Sequence, residues 1–296
     1  MTGRYPSTML LHRLPNYLKT YRRRSGFTQE EVDYLLGAPT NADVGRYERR
    51  AATPDLDKAL ALAKILGQPV ERLFAGRNET IGQQVQQRAG TMVNTLSRQP
   101  SRPIITKKIA AFTAVVGSRY APNDIMKGNH PMFTRIMAVD PTHRGFGFAV
   151  LEREGNEKPQ LIDWGVAGCT FRSRGRCLTK LTDMLAHYLP SVVVFEKCVG
   201  RQSIHCRSVQ TLLRGIERTA AKRRIKIRTV SWDQVRSAFP GTETKTKHAI
   251  AAEIARLFPE LAPRLPKPRV WFESEDYRMG MFDAVGLGLI VQPQDP

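Results

Sequence analysis

Apolar residues recur at helical spacing through the first quarter of the chain and in unbroken, strand-length runs through its second half. Leu14, Tyr17, Leu18 and Tyr21 predict a helix over residues 14–24. Thr28 followed three residues later by Glu31 is a capping-box pattern, predicting a helix over 29–36 that stops at Gly37. After the Ala38-Pro39-Thr40 turn, Thr40 or Asn41 caps a third helix through Arg49. A fourth helix over 55–66 ends at Gly67, and a short fifth over 70–74 ends at Gly76. Helix, tight turn, helix and supporting helices make a helix-turn-helix layout. Residues 79–96 keep helical character with a glutamine-rich surface, residues 99–103 break it, and a further helix is expected over 106–116.

From residue 134 the pattern changes. Ile136-Met137-Ala138-Val139 and Val192-Val193-Val194-Phe195 are continuous apolar runs, as expected of strands covered on both faces. Strands are predicted at 135–140, 146–152, 160–167, 191–196 and 225–230, with helices at 175–187, 208–223, 245–257 and 277–290. The expected fold is an α/β domain with a mixed five-stranded sheet, preceded by an all-α domain. Boundaries are expected at 1–78 for the helical domain, 79–133 for a helical connector and 134–296 for the α/β domain.

Charge narrows the partner. The 296 residues hold 46 Lys and Arg against 27 Asp and Glu, a net +19 with pI near 10.2. Such a balance favours a polyanion, and nucleic acid ranks ahead of a membrane surface because no basic amphipathic anchor is evident. Only +5 of that charge lies in residues 1–78, leaving +14 downstream. No apolar run approaches a membrane span and no signal-peptide pattern opens the chain, so a cytoplasmic location is expected. Cys169, Cys177, Cys198 and Cys206 lack the short spacing of a structural zinc site and are expected to be free thiols, although His205 keeps zinc open.

Three acids stand where chemistry would want them. Asp140 and Glu196 each end a buried strand, and Asp283 lies on a helix of small and apolar residues suited to close packing on a sheet. Singly, each reads as a turn residue or a surface charge. Together they offer hard oxygen ligands for Mg²⁺ or Mn²⁺, and two such ions serve phosphodiester hydrolysis.

The run Phe27-Thr28-Gln29-Glu30-Glu31-Val32, followed by Val44-Gly45-Arg46-Tyr47-Glu48-Arg49, resembles the Cro/repressor-type (Xre) helix-turn-helix family. The resemblance implies that Thr40, Asn41, Asp43, Arg46 and Arg49 of the third helix face the DNA major groove, with the Gln29 amide on a phosphate.

Asp140-Pro-Thr-His-Arg-Gly-Phe-Gly-Phe-Ala-Val resembles the opening strand-turn-strand of RuvC-type Holliday-junction resolvases, which are RNase H-like nucleases. Phe195-Glu196, Leu212-Leu-Arg-Gly-Ile-Glu, the basic loop through Lys245-Thr-Lys247 and Asp283-Ala284 follow in that family's order over residues 134–291. The resemblance implies an RNase H-like fold and a Mg²⁺- or Mn²⁺-dependent endodeoxyribonuclease using two ions and acting as a homodimer on branched DNA, with no small-molecule substrate. Asp140, Glu196 and Asp283 would hold the metal, and Arg201, Lys245 and Lys247 the DNA backbone. One position departs from the family, which places an acid or His three residues before its last Asp; here that residue is Gly280. Asp276, two helical turns before Asp283, is the expected substitute, with Glu273 and Glu275 behind it. Gly280 also favours the alternative, a DNA-binding regulator or architectural protein on an inactive nuclease fold. An actin-like ATPase shares the opening turn but needs glycine-rich phosphate loops that are absent.

Overall fold

The computed structural model describes residues 13–37, 43–100, 102–117, 133–142, 145–154, 157–168, 174–197, 204–223, 225–239, 246–269 and 275–291. They fall into two compact units, one helical and one built on a sheet. No described helix is long and apolar enough to cross a membrane.

The helical unit contains α1 (Leu18–Arg24), α2 (Gln29–Leu35), α3 (Asp43–Glu48), α4 (Leu56–Leu66), α5 (Val70–Leu73), α6 (Ala75–Leu96) and α7 (Pro103–Val116). The capping box forms: Glu31 N–H donates to Thr28 Oγ1 at 3.1 Å and Thr28 N–H to Glu31 Oε2 at 2.7 Å. Gly67 ends α4 at φ 61°, the left-handed region that glycine enters at least cost. Leu18, Val32, Val44, Tyr47, Leu62, Leu66 and Leu73 form the core shared by α1 to α5. Gly76 does not end a helix, as its residue type suggested. Its amide donates to Leu14 O at 3.0 Å, and a Cβ there would stand 2.4 Å from Arg13 O. The glycine serves close backbone approach, so α6 runs on through residue 78 and pairs with α7.

The second unit has β1 (Phe133–Thr142), β2 (Gly145–Glu154), β3 (Gln160–Gly168), α8 (Arg174–Tyr188), β4 (Val192–Glu196), α9 (Ile204–Arg223), β5 (Lys226–Val230), α10 (Trp232–Ala238), α11 (Lys247–Leu257), a 3₁₀ turn (Pro259–Arg264) and α12 (Met279–Ile290). The sheet order is β3-β2-β1-β4-β5. β1, β2 and β3 form an antiparallel meander, whereas β4 and β5 join parallel to β1 through helical crossovers. This is the mixed five-stranded sheet expected from the strand pattern. Helix α10 occupies part of what reads as a basic loop. The overlooked signal is local: Ser231 and Gln234 form a second capping box.

Side-chain alternation assigns the two faces of the sheet. Ile136, Ala138, Ala149, Leu151, Val192 and Val194 pack with α11 and α12 in one core. Met137, Val139, Val193 and Phe195 therefore point the other way, where α8 lies against β2 and α9 against β1 and β5. On that second face Arg135 and Glu152, paired across β1 and β2, form a buried ion pair at 2.7 Å. Arg135 also donates to the Tyr188 carbonyl at 2.7 Å, which ties the end of α8 to the sheet. Cys177 on α8 is buried and disulfide-bonded, correcting the expectation of four free thiols.

Helix α12 touches the sheet more closely than any side chain would allow. A Cβ on Gly147 of β2 would lie 2.0 Å from the Gly280 carbonyl oxygen, and a Cβ on Gly288 would lie 2.4 Å from Leu151 Cδ1. Gly280, Ala284 and Gly288 repeat every four residues, so one stripe of the helix is bare enough to settle on β1 and β2. Gly147→Ala is expected to cost about 3 kcal/mol of unfolding free energy through overpacking. Gly168→Ala, with nothing within 4 Å of the new methyl, is expected to stay within about 0.5 kcal/mol of wild type. Urea melts of the two variants check this, and equal losses would refute the contact.

Candidate active site

Asp140 shares the side-chain parity of Ile136 and Ala138, so it points toward α12 rather than simply off the end of the sheet. Glu196 shares the parity of Val192 and Val194 and points the same way. Val139 pairs with Phe195 in the parallel register, which places the two carboxylates on neighbouring strands. Asp283 comes down from the buried stripe of α12 onto the same face. The structure therefore brings together the three acids singled out in the sequence.

Asp140 and Asp283 are each only 5% exposed. Burial, then the charge of Asp283, holds the Asp140 carboxyl well above the usual carboxylate range; Glu196 and Glu275 add to this and Lys247 opposes it. Burial also pushes Asp283 up, to about 6, against the pull of Lys247 and with Glu275 and Glu196 adding to the rise. Among the described residues no hydrogen-bond donor reaches Asp140. An almost buried carboxylate without a donor is costly unless it is neutralised.

Lys247, the first residue of α11, turns its ammonium inward rather than toward solvent. Its Nζ donates to Asp283 Oδ2 at 2.7 Å, lies 3.4 Å from Glu275 Oε1 and sits 5.2 Å from the centre of the Trp232 ring. Burial disfavours its charge, but Asp283, Asp140 and Glu275 outweigh that and raise its pKa. Neither Glu275 nor Trp232 stood out in the sequence as a principal site residue. Glu275 lacked a strand end or helical register to mark it, and Trp232 lies in the unexpected α10.

Asp276 does not join this group. Its carboxylate accepts from Arg278 Nη2 at 2.6 Å and from the Arg278 backbone N–H at 2.9 Å, and these bonds hold its pKa below the usual range. Gly280 faces Asp140 directly: a Cβ there would stand 3.1 Å from Asp140 Oδ2 and 2.8 Å from Thr142 Cγ2. A side chain at that position would require Thr142 and Asp140 to shift, and glycine leaves both undisturbed.

The donor set suits a divalent cation of the Mg²⁺ or Mn²⁺ kind. It consists of carboxylate oxygens that repel one another, and no hydrogen-bond donor among the described residues reaches Asp140. Among the described residues no group of three or more His, Cys, Asp or Glu side chains is placed so that it could hold a metal ion; the acids share one face without forming a ready-made site.

In the helical unit, Asp33 Oδ1 accepts from Val44 N–H at 2.9 Å and so fixes α3 against α2. Gln29 donates its amide to Glu48 Oε2 at 2.6 Å, and Arg22 pairs with Glu48 Oε1 at 2.6 Å. The Gln29 N–H expected on a phosphate is thus engaged within the helical unit. Arg46 and Arg49 are exposed on and just after α3. Thr40, Asn41, Arg201, Lys245 and Glu273 lie outside the described residues.

No family model and no curated protein sequence matches this chain. Among solved structures, the RuvC of T. thermophilus bound to a Holliday-junction substrate is 19% identical with a TM-score of 0.41, covering 53% of this chain and 92% of its own. The yeast mitochondrial Holliday junction resolvase Ydc2 is 13% identical with a TM-score of 0.39, covering 58% and 86% respectively. The Fowlpox virus resolvase, in complex with Holliday-junction DNA, is 14% identical with a TM-score of 0.35, covering 52% and 95%.

The raised carboxyls predict a pH effect with a definite sign. A folded-state pKa of about 6 for Asp283, above the unfolded value near 3.9, means the fold binds the extra proton. Metal-free stability should therefore fall as pH rises from about 4 to 6. Asp140→Asn removes one of the repelling charges and is expected to raise metal-free stability at pH 7 by on the order of 1 kcal/mol. Mn²⁺ should stabilise the wild type and not the variant. Thermal melts in chelator and in Mn²⁺ across this range check both effects, and a less stable Asp140→Asn protein in chelator at pH 7 would refute the repulsion.

Proposed function

We propose that this chain is a divalent-metal-dependent endonuclease for branched DNA, docked onto DNA by its N-terminal helix-turn-helix. The observation that carries this reading is Asp140, a nearly buried carboxylate with no described donor, set among Glu196, Asp283 and Glu275. Such a group suits a cation that meets a phosphodiester. The motif order over residues 134–291 and the +14 charge beyond residue 78 support nucleic acid as the substrate.

Asp140, Glu196, Asp283 and Glu275 would hold Mg²⁺ or Mn²⁺. When bound, the ion supplies water activation and stabilisation of the leaving oxygen. The chain's own residues provide the setting. Gly147 lets α12 bring Asp283 down to the sheet, where Asp140 and Asp283 are both buried. Arg46 and Arg49 contact DNA from α3, and two copies of the chain make paired cuts. Arg201 and Lys245 track the backbone without reading sequence.

A synthetic four-way junction incubated with Mg²⁺ or Mn²⁺ should be cut by the wild type. Asp140→Asn and Asp283→Asn should each lower the rate by about 10³-fold, roughly 4 kcal/mol of barrier. The double variant Arg46→Ala, Arg49→Ala should weaken duplex binding and flatten its salt dependence while leaving the chemical step intact. The hydrogen bond between Lys247 and Asp283 favours a second reading, a DNA-binding regulator on an inactive nuclease fold. That reading stands, and the nuclease falls, if the wild type cuts no branched, duplex or single-stranded DNA or RNA.

A further inference from the structure

The two helices that follow the five-helix core leave an apolar face uncovered. Helix α7 is mostly apolar in sequence, yet none of its residues is buried. It packs on α6, and the short link of residues 97–102 makes the two an antiparallel hairpin. Counted at 3.6 residues per turn, Ile81, Val85 and Met92 form one stripe of α6 beside its buried Ala89 and Leu96. On α7, Ile104 and Ala111 form a stripe beside the partly buried Ile105, Ile109 and Phe112. Both stripes are displaced from the packed positions in the same rotational sense, which in an antiparallel hairpin sets them on one side. Ile81, Val85, Met92 and Ile104 are 50, 45, 43 and 57% exposed.

The flank of this face asks for little water. Thr91 and Thr95 donate their hydroxyls to the Gln87 and Thr91 carbonyls at 3.1 and 2.9 Å, so these donors are already satisfied. Residues 80–116 hold Arg88, Arg98, Arg102, Lys107 and Lys108 and no Asp or Glu. Size then decides the occupant. Helices of 22 and 14 residues side by side present roughly 500 Å². Two such faces together bury about 1,000 Å², the threshold of specific association, whereas a single helix laid on one covers about half of it.

We propose that this face is where two copies of the chain meet, hairpin against hairpin, as a four-helix bundle. The proposal gives a surface to the pairing in the nuclease reading above and rests on that reading only for the need of a pair. Because each copy brings only cations to the contact, the attraction is apolar. Added salt should therefore tighten the pair by screening repulsion.

The test is association rather than cleavage: sedimentation velocity of the full chain over a concentration series, at about 0.15 M and about 0.5 M NaCl. The wild type should dimerise with a dissociation constant on the order of 10 µM, tighter at the higher salt. Met92→Lys with Ile104→Lys should weaken the pair at least about 100-fold. Gln87→Lys with Asn94→Lys adds the same charge on the opposite side of α6 and should stay within about 3-fold of wild type. All four positions are exposed in the single copy, so circular dichroism should read unchanged helix content. A wild type that stays monomeric to about 100 µM overturns the proposal, as does a dimer that the Met92 and Ile104 changes leave intact. A pair that loosens with salt also overturns it, because this face holds no acid to attract the other copy. Junction cleavage by a monomeric wild type refutes this surface and leaves the nuclease standing. A salt-tightened dimer that cuts nothing keeps the surface and refutes the nuclease.

Discussion

The backbone contact between Gly147 and Gly280 is the constraint on which the site depends. A helix resting on a sheet through ordinary side chains stands about 10 Å away, and an aspartate on it would reach toward the strands without meeting them. Here the helix backbone touches the strand backbone, so Asp283 arrives at the level of Asp140 and Glu196. At position 280 itself the strand backbone lies at ordinary contact distance, and a Cβ there would crowd only the Thr142 and Asp140 side chains.

The charges form a second layer on this geometry. The carboxylates of Asp283 and Glu196 raise the proton affinity of Asp140, and burial strengthens the effect because little water screens it. The chain answers with Lys247 on Asp283 and sets no hydrogen-bond donor among the described residues on Asp140. A fold optimised only for stability would neutralise or remove such a group; keeping it is the mark of a site that expects a ligand. The buried pair Arg135–Glu152 on the opposite face shows the contrast, since there each charge has its partner within 2.7 Å.

Much of this was legible in the sequence, and the reasons are particular. Continuous apolar runs mark Ile136–Val139 and Val192–Phe195 as doubly covered strands, and the acid after each run could be read without knowing the partner strand. Thr28 and Glu31 announce α2 because a capping box is a local event. What could not be read depends on distance across the fold. Gly76 resembles a helix stop until the Arg13 and Leu14 carbonyls are seen against it. Asp276 has the helical register of a ligand, yet the nearer Arg278 claims it, and Glu275 beside it faces Lys247 instead. Lys247 reads as a surface cation because nothing local reveals that Asp283 lies 2.7 Å away.

Trp232 has a consequence of a different kind. Its ring lies 5.2 Å from a fixed ammonium, and its indole N–H is buried with no hydrogen-bond partner among the described residues. Indole emission is sensitive to a nearby positive charge, so the chain carries a built-in optical reporter of whatever displaces Lys247. Arrival of an ion or a phosphate at the acids can be followed as a change in fluorescence from the unlabelled protein, on the timescale of mixing.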